Sequence, residues 1–360
     1  MRGTDWALES APTAPQGVAG DLQRRLAVLN RRAPTDTSTE MATDLSANPR
    51  REPPAFVVLG SCIVDFCVRV DRLPARGETV LASSVTRSLG GKGANQATAL
   101  RRLGGEVAIV AGIGVDDFGE DFLTFFRQER IESGFVHREA SAPTGVAFPM
   151  VLPGGGNAIV AAPGASMLLP VAAVAAAAPR IRQAAALLLQ LEVPAAAAAA
   201  AMAVAREAGV AVFLNPAPYV EEAPRLVSAA DVLIPNEVEA AALAGMSVDT
   251  PEDALRAADR LRALGPAAVV VTLGEKGAAL CAPGVRRYRP AYRVAAVDST
   301  GAGDAFCAGL AAARCGGAGW SEALDFGCAC GALACRGEGV IPWLPTAAEV
   351  RRFAAAAESG

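Results

Sequence analysis

The chain has 360 residues and a net charge of −4, which is long enough for one large domain or two small ones. Half of it is apolar, so a full core can be buried, and no long basic run appears, which argues against nucleic acid as a partner. Eight Cys without a CxxC pair and a single His argue against a zinc site or a secreted disulfide framework, and imply reduced cytosolic thiols.

Residues 1–54 are rich in Pro, Thr, Ser, Arg and Ala and lack a sustained apolar period. Only Leu22 to Leu29 has the pattern of a short helix. Arg24, Arg25, Arg31 and Arg32 hint at a transit peptide, but Asp5, Glu9, Asp21, Asp36 and Glu40 spoil its acidic-poor signature. A disordered or leader extension is expected over 1–54, with Met41 as an alternative start, and one folded domain over 55–360. Cytoplasmic placement is expected, with nuclear or mitochondrial placement left open.

From Ala55 the pattern changes. FVVLG reads as a buried first strand ending in Gly. CVRV, ETVLA (78–82) and VTRSL alternate like strands with one exposed face. GVAFPMVLP and NAIVAAPG flank three Gly at 154–156 and read as a hairpin. These pieces suit a small sheet distinct from the main core. After residue 165, ALLLQLE, VAVFLNP, DVLIPN, AAVVVTLG and GAALCA read as strands. Pro194 to Gly209, Glu237 to Ala244, Pro251 to Leu264, Thr300 to Cys315, Ser321 to Cys335 and Thr346 to Ala357 read as helices. Such alternation implies a parallel sheet covered on both faces. No internal repeat is present.

The most hydrophobic stretch, Ala184 to Val204, is interrupted by Glu192 and Pro194, so no membrane span is expected. Only two of the 33 basic residues are Lys, Lys92 and Lys276, and both lie in glycine-rich motifs. Cys328, Cys330 and Cys335 fall in an apolar helix, which favours core packing over a metal cluster.

The run Asp298-Ser299-Thr300-Gly301-Ala302-Gly303-Asp304 follows a strand-like VAAVD and opens an apolar helix. Small residues let the backbone turn tightly and expose N–H groups, and the helix N-terminus adds partial positive charge. A carboxylate there can take a proton from an attacking hydroxyl. An anion hole with an adjacent base is what phosphoryl transfer to an alcohol requires. A generic GxGD would be an ordinary helix cap, whereas this longer run is specific.

Gly90-Gly91-Lys92-Gly93-Ala94-Asn95-Gln96 also leads into a helix. It lacks both the GxGxxG and the Walker spacing. Close backbone approach combined with a Lys and an Asn suits a polyhydroxylated ligand. A glycine-rich helix cap is the bland alternative.

Both motifs, in this order, resemble the ribokinase family, the PfkB-type carbohydrate kinases. The resemblance runs from about Phe56 to Pro345. VVLGSCIVD, LLQLE, NPAP at 215–218, PNEVEA at 235–240 and TLGEKG at 272–277 extend it, and the GGKGAN wording is similar to that of ribokinases.

The resemblance implies an α/β fold, a ribokinase-like three-layer sandwich with a central, mostly parallel sheet. It also implies a small β-sheet lid, from segments near 63–88 and 143–162, that pairs between subunits in a homodimer. Asp304 becomes the catalytic base, and Gly301, Ala302 and Gly303 the anion hole. Sugar contacts fall on Asp65, Gly91, Lys92, Gly93, Asn95 and Glu192, with Ile63 beside them. ATP contacts fall on Asn236, on Thr272, Leu273, Gly274, Glu275, Lys276 and Gly277, on Gly303 and on Cys328. Asn236 and Glu239 would organise Mg²⁺, and one helical turn separates them. A potassium site falls on Asp298, Thr300, Ala334, Gly337 and Gly339.

Three positions depart from the family pattern. Ile63 stands where many ribokinases carry Asn, Cys328 where a His often sits, and Trp343 where a Ser often ligates potassium. Ile63 has no side-chain donor for a sugar, so these departures bear on sugar identity, adenine stacking and potassium. The implied reaction is ATP-dependent phosphorylation of D-ribose at its 5-hydroxyl. A kinase for another sugar or nucleoside is the alternative on the same fold. A non-catalytic sugar-binding relative is a third reading, but it predicts damage at Asp304, Asn236 or Glu239, and all are intact.

Overall fold

The structure is a computed structural model and describes residues 53–153 and 157–358. The expected extension, but for residues 53 and 54, lies outside the described residues, as do the Leu22 to Leu29 helix and the three Gly at 154–156.

In chain order the first half holds β1 (Ala55–Leu59), β2 (Ile63–Arg69), β3 (Ser84–Gly90), α1 (Lys92–Arg102), β4 (Glu106–Gly114), α2 (Asp117–Gln128), β5 (Glu132–Glu139), β6 (Thr144–Val151) and β7 (Asn157–Gly164). Next come α3 (Val171–Gln183), β8 (Ala186–Leu189), α4 (Ala195–Glu207), β9 (Ala211–Leu214), α5 (Ala223–Val227), β10 (Val232–Leu233), α6 (Glu237–Ala244) and α7 (Pro251–Arg262). The chain closes with β11 (Ala268–Thr272), β12 (Ala278–Ala282), β13 (Val285–Arg289), α8 (Ala302–Gly316), α9 (Trp320–Ala334) and α10 (Ala347–Glu358).

Nine strands form the main sheet in the order β13-β12-β11-β10-β9-β8-β1-β4-β5. From β11 to β5 all neighbours are parallel, and β12 and β13 add antiparallel. The central strands are continuous apolar runs because both faces are covered. Alternate residues feed opposite cores: Phe56 and Val58 join one cluster, Val57 and Leu59 the other. Helices α1, α8 and α9 supply the first cluster, and α3, α4 and α7 the second. Each fully buried Leu or Phe contributes about 1.5–3 kcal/mol. Helix, sheet and helix make the expected three layers.

The Ala184 to Val204 run divides into β8 and α4, with Glu192 and Pro194 between them. Among the described residues no helix is long and apolar enough to cross a membrane.

A second sheet, β3-β2-β6-β7, forms the lid. It departs from expectation in one segment: Glu78 to Ala82 is not a strand. Glu78 instead accepts from Ala75 N and Arg72 Nη1, which folds the stretch into an exposed turn. Several elements had no reading from the sequence: β4, α2, β5, α3 and β13.

In a parallel sheet all C-terminal strand ends share one edge, where ligands bind in open α/β folds. Here Ser61 follows β1, Gln190 and Glu192 follow β8, Asn236 follows β10 and Thr272 lies at the end of β11. The near strands of the two groups, β8 and β10, are about 10 Å apart, two strand spacings across β9.

Candidate active site

The GGKGAN loop exists because two backbone segments touch. A Cβ on Gly93 would lie 2.5 Å from Ser61 N and 2.7 Å from Gly60 Cα. Gly91 sits at φ 86°, a left-handed value that favours Gly. Ala94 N then donates to Ser61 O at 3.0 Å, which pins the start of α1 to the end of β1.

The second motif opens α8. Gly301 is its N-cap at φ 76°, with no side-chain cap; Ala302 N donates to Ser299 O at 3.2 Å, and a helix N-terminus of this kind favours negative charge. Space over Gly303 is open: a Cβ there would meet no atom within 4 Å. Asp304 lies in the first turn, 4 % exposed. Its Oδ2 accepts from Asn95 Nδ2 at 2.9 Å and its Oδ1 from Gln96 Nε2 at 3.2 Å.

Three carboxylates and one ammonium surround this point. Glu192 Oε2 accepts from Lys92 N at 3.1 Å and from Ser61 Oγ, so Oε1 is the oxygen left to turn to a ligand. Burial pulls the Lys92 ammonium down, but Asp304, Glu192 and Glu239 push it up, and the net direction is up. Burial, then the charges of Glu192, Asp304 and Asp298, push the Asp65 carboxyl up to about 7. Asn95 Oδ1 is buried without a hydrogen-bond partner among the described residues. Ile63 is buried at the start of β2.

Towards β10 and β11, Asn236 caps α6 in a reciprocal box. Its Oδ1 accepts from Glu239 N at 2.8 Å, and Glu239 Oε2 accepts from Asn236 N at 2.9 Å. Such a box is worth about 1 kcal/mol. Burial raises the Glu239 carboxyl, against the Asn236 N–H and the Lys92 charge. Asn236 bridges Thr272, so PNEVEA and TLGEKG adjoin. Gly274, Glu275 and Lys276 form a short 3-10 turn after Leu273, closed by Leu273 N donating to Gly277 O at 2.8 Å. Lys276 Nζ donates to Asp249 O at 2.9 Å. Cys328 is buried in the core, its thiol pushed up to about 12 by burial. All eight Cys are free, and Cys330 is buried beside Cys328.

The expected potassium residues also converge. Asp298 Oδ1 accepts from Thr300 N and Oγ1 at 2.9 and 2.7 Å, and Oδ2 from Gly339 N at 3.2 Å. Val297 N donates to Cys335 O, which holds the 294–298 segment, irregular rather than the expected strand, against the end of α9, next to Ala334. Trp343 packs directly on Gly337.

Three polar residues here had no assigned role: Ser61, Gln96 and Gln190. Gln190 Nε2 donates to Gln96 Oε1 at 2.6 Å. All three lie inside the quoted motifs, but only the tertiary fold shows what they touch.

A buried carboxylate in the first turn of a helix without a side-chain cap, by the C-terminal edge of a parallel sheet, suits a phosphotransferase acting on a hydroxyl. The chain belongs to the pfkB family of carbohydrate kinases, whose pattern matches residues 54–347. It is 36% identical over 298 residues to a ribokinase of Haemophilus influenzae, covering 83% of this chain and 97% of that one. It is 38% identical over 263 residues to a Mus musculus ribokinase, covering 72% and 81%. The solved structure of Arabidopsis thaliana ribokinase complexed with ribose and ATP superposes with a TM-score of 0.76 at 32% identity, covering 84% of this chain and 99% of that one.

Proposed function

We propose that the chain transfers the γ-phosphoryl group of ATP to the 5-hydroxyl of D-ribose, giving D-ribose 5-phosphate and ADP. One observation carries this reading: Asp304 is buried, clamped by two amides and set in the first turn of an uncapped helix. Its carboxylate takes the hydroxyl proton as attack proceeds, and the Gly301–Gly303 backbone stabilises charge on the transferred group. The orphan Asn95 Oδ1, Glu192 Oε1, Asp65 and the Lys92 ammonium supply acceptors and a donor for a polyol. ATP lies along the β10–β11 end, against Asn236 and Thr272 through Gly277. Loss of the polar His position at Cys328 leaves an apolar wall there.

The residues present fit both expected cations. Mg²⁺ arrives on nucleotide phosphates and needs only one or two protein groups. Glu239 and Asn236 would reach its water shell, and the ion would neutralise phosphate charge. Asp298, Thr300 and the backbone of Ala334, Gly337 and Gly339 offer only oxygen ligands, which suit potassium. Trp343 adds no oxygen, so the site relies on the rest.

The lid supports a homodimer. Val85, Phe148 and Val160 share its face with Phe66, opposite Asp65, and are 63, 42 and 60 % exposed. A second copy seated there would bury them.

An ADP-release assay with ribose titration, with and without potassium, tests the reading. Saturable, ribose-dependent ADP release is expected. Turnover only with a different sugar or with adenosine, or no turnover at all, would overturn it.

A further inference from the structure

Two buried amides stand behind the base. Gln96 is 1 % exposed and Gln190 0 % exposed. Gln96 Nε2 donates to Asp304 Oδ1, and Gln190 Nε2 donates to Gln96 Oε1. The direction of this chain is forced. A carboxylate only accepts, so Gln96 must turn its NH₂ to Asp304 and its oxygen to Gln190. Gln190 must then present its own NH₂, and its Oε1 is left against Gly60, where a Cβ would strike it. That oxygen is buried without a hydrogen-bond partner among the described residues.

An orphaned buried acceptor costs about 1–3 kcal/mol, and packing alone gives no reason to keep it. A Leu or Met would fill the end of β8 without that cost. The cost is accounted for if the chain of amides has work to do at Asp304.

We infer that Gln190 and Gln96 form a positioning relay: Gln190 locks the Gln96 amide so that its NH₂, never its oxygen, faces the Asp304 carboxylate. With Asn95 on Oδ2, the relay fixes the carboxylate plane and leaves the remaining lone pairs for the sugar hydroxyl. Without Gln190, the Gln96 amide is free to turn over and present an oxygen to the base. The inference rests on Asp304 being the base.

Near-isosteric substitutions test it, because Met follows the shape of Gln without its donors. Gln96→Met should lower kcat on the order of 10- to 100-fold and leave the KM for ribose and ATP within about twofold, since the amide touches the base and not the ligands. A hydrogen bond from an amide favours the ionised carboxylate. The acid limb of kcat should therefore move to higher pH. Other titratable groups around Asp304 are Asp65 from β2, Lys92 from α1, Glu239 from α6 and, on its own helix, the Cys307 thiol, which burial keeps neutral, with Glu192 beside Lys92. None is altered by these variants, so the change in the limb belongs to the amides.

Gln190→Met should move kcat and the limb in the same direction by less, and the double variant should match Gln96→Met, because the two act through one bond. A purely structural role would lower the melting temperature and leave the limb in place, and that result would overturn the relay. So would additive losses, or a Gln190→Met enzyme with parental kcat and limb. If Gln96→Met fails to fold, Gln190→Met alone decides. Asp304→Asn is run beside them. Residual parental turnover in Asp304→Asn means the base assignment has failed. An inactive Asp304→Asn with an unaltered Gln96→Met means that only the relay has.

Discussion

Asn95 Nδ2 and Asp304 Oδ2 lie 2.9 Å apart although 209 residues separate them along the chain. The bond joins the two glycine-rich motifs at a single carboxylate. Helices α1 and α8 pack against each other, and their N-terminal turns converge on this point. One motif thus holds the group that the other motif uses. The donor's own oxygen is buried without a partner among the described residues, so in the proposed function sugar binding and proton transfer share one side chain.

Asp304→Asn removes the acceptor for the hydroxyl proton while keeping shape and polarity. A positioned general base contributes about 10²–10⁴-fold, so kcat should fall by at least that order. ATP affinity should hold, because the proposed nucleotide contacts on Asn236 and Thr272 are untouched. ADP release and nucleotide titration check both halves.

Asp65 predicts a pH dependence. Its carboxyl is pushed up to about 7 by burial and by Glu192, Asp304 and Asp298. In the proposed site the ionised form accepts from sugar hydroxyls, and kcat/KM reports groups of the free enzyme. The kcat/KM for ribose should therefore fall as pH drops through about 7, and Asp65→Asn should flatten that limb. Stability runs the other way. The folded value exceeds the ordinary 3.8, so the folded chain keeps a proton that the unfolded chain has lost. That contribution is fully present below about 4 and is lost as pH rises through about 7. Asp65→Asn should melt higher than the parent at pH 8 and show no such gain at pH 4.

Local chemistry was readable without the fold. The bounds of α6, Glu237–Ala244, matched because an Asn capping box is encoded within four residues. FVVL, ALLL and AVFL were readable because continuous apolar runs leave little choice once both sheet faces are covered. The glycine-rich turn that opens α8, with Asp304 in its first turn, was readable as a motif. What failed depended on distance. ETVLA alternates like a strand, yet Glu78 bonds Arg72 and closes a turn instead. Ser61 meets Glu192 across 131 residues and Gln190 meets Gln96 across 94, and nothing near them in sequence marks those pairs. Lys276 stood out as a rare Lys, and the fold turns its ammonium to the Asp249 carbonyl.

Gly301→Ala should harm both stability and rate. At φ 76° a Cβ is strained, and it would strike Val340 Cγ1. Backbone strain of this kind costs about 1–3 kcal/mol, and the displaced turn carries the proposed anion hole. Gly301→Ala with Val340→Ala should recover the steric part and leave the strain. Thermal melting and kcat of both variants separate the two contributions.

Glu239 caps α6, and the proposed function gives it a second, separable role at the magnesium shell. Gln at the same position keeps the bond from Asn236 N, loses the charge, and gives up the second bond, from Asn236 Nδ2 to Glu239 Oε1 at 3.0 Å. Glu239→Gln should melt only slightly below the parent and need more Mg²⁺ for half-maximal rate. Glu239→Ala should lose about 1 kcal/mol as well. A Gln variant with parental magnesium dependence would confine Glu239 to the cap.

The lid face predicts assembly. Val85 and Val160 flank the Phe66–Phe148 stack, whose ring centroids are 5.7 Å apart, and both stand largely exposed in the single chain. Charges placed there would be desolvated in a dimer and solvated in a monomer. Val85→Glu with Val160→Glu should therefore shift sedimentation from dimer to monomer with little change in the melting of the chain itself. Asp65, the proposed sugar contact, lies on the opposite lid face, so ribose binding should sense the change only through lid closure. A raised KM for ribose at preserved ATP affinity is the expected kinetic mark. An unchanged sedimentation coefficient would place the interface elsewhere and leave the apolar face without that explanation.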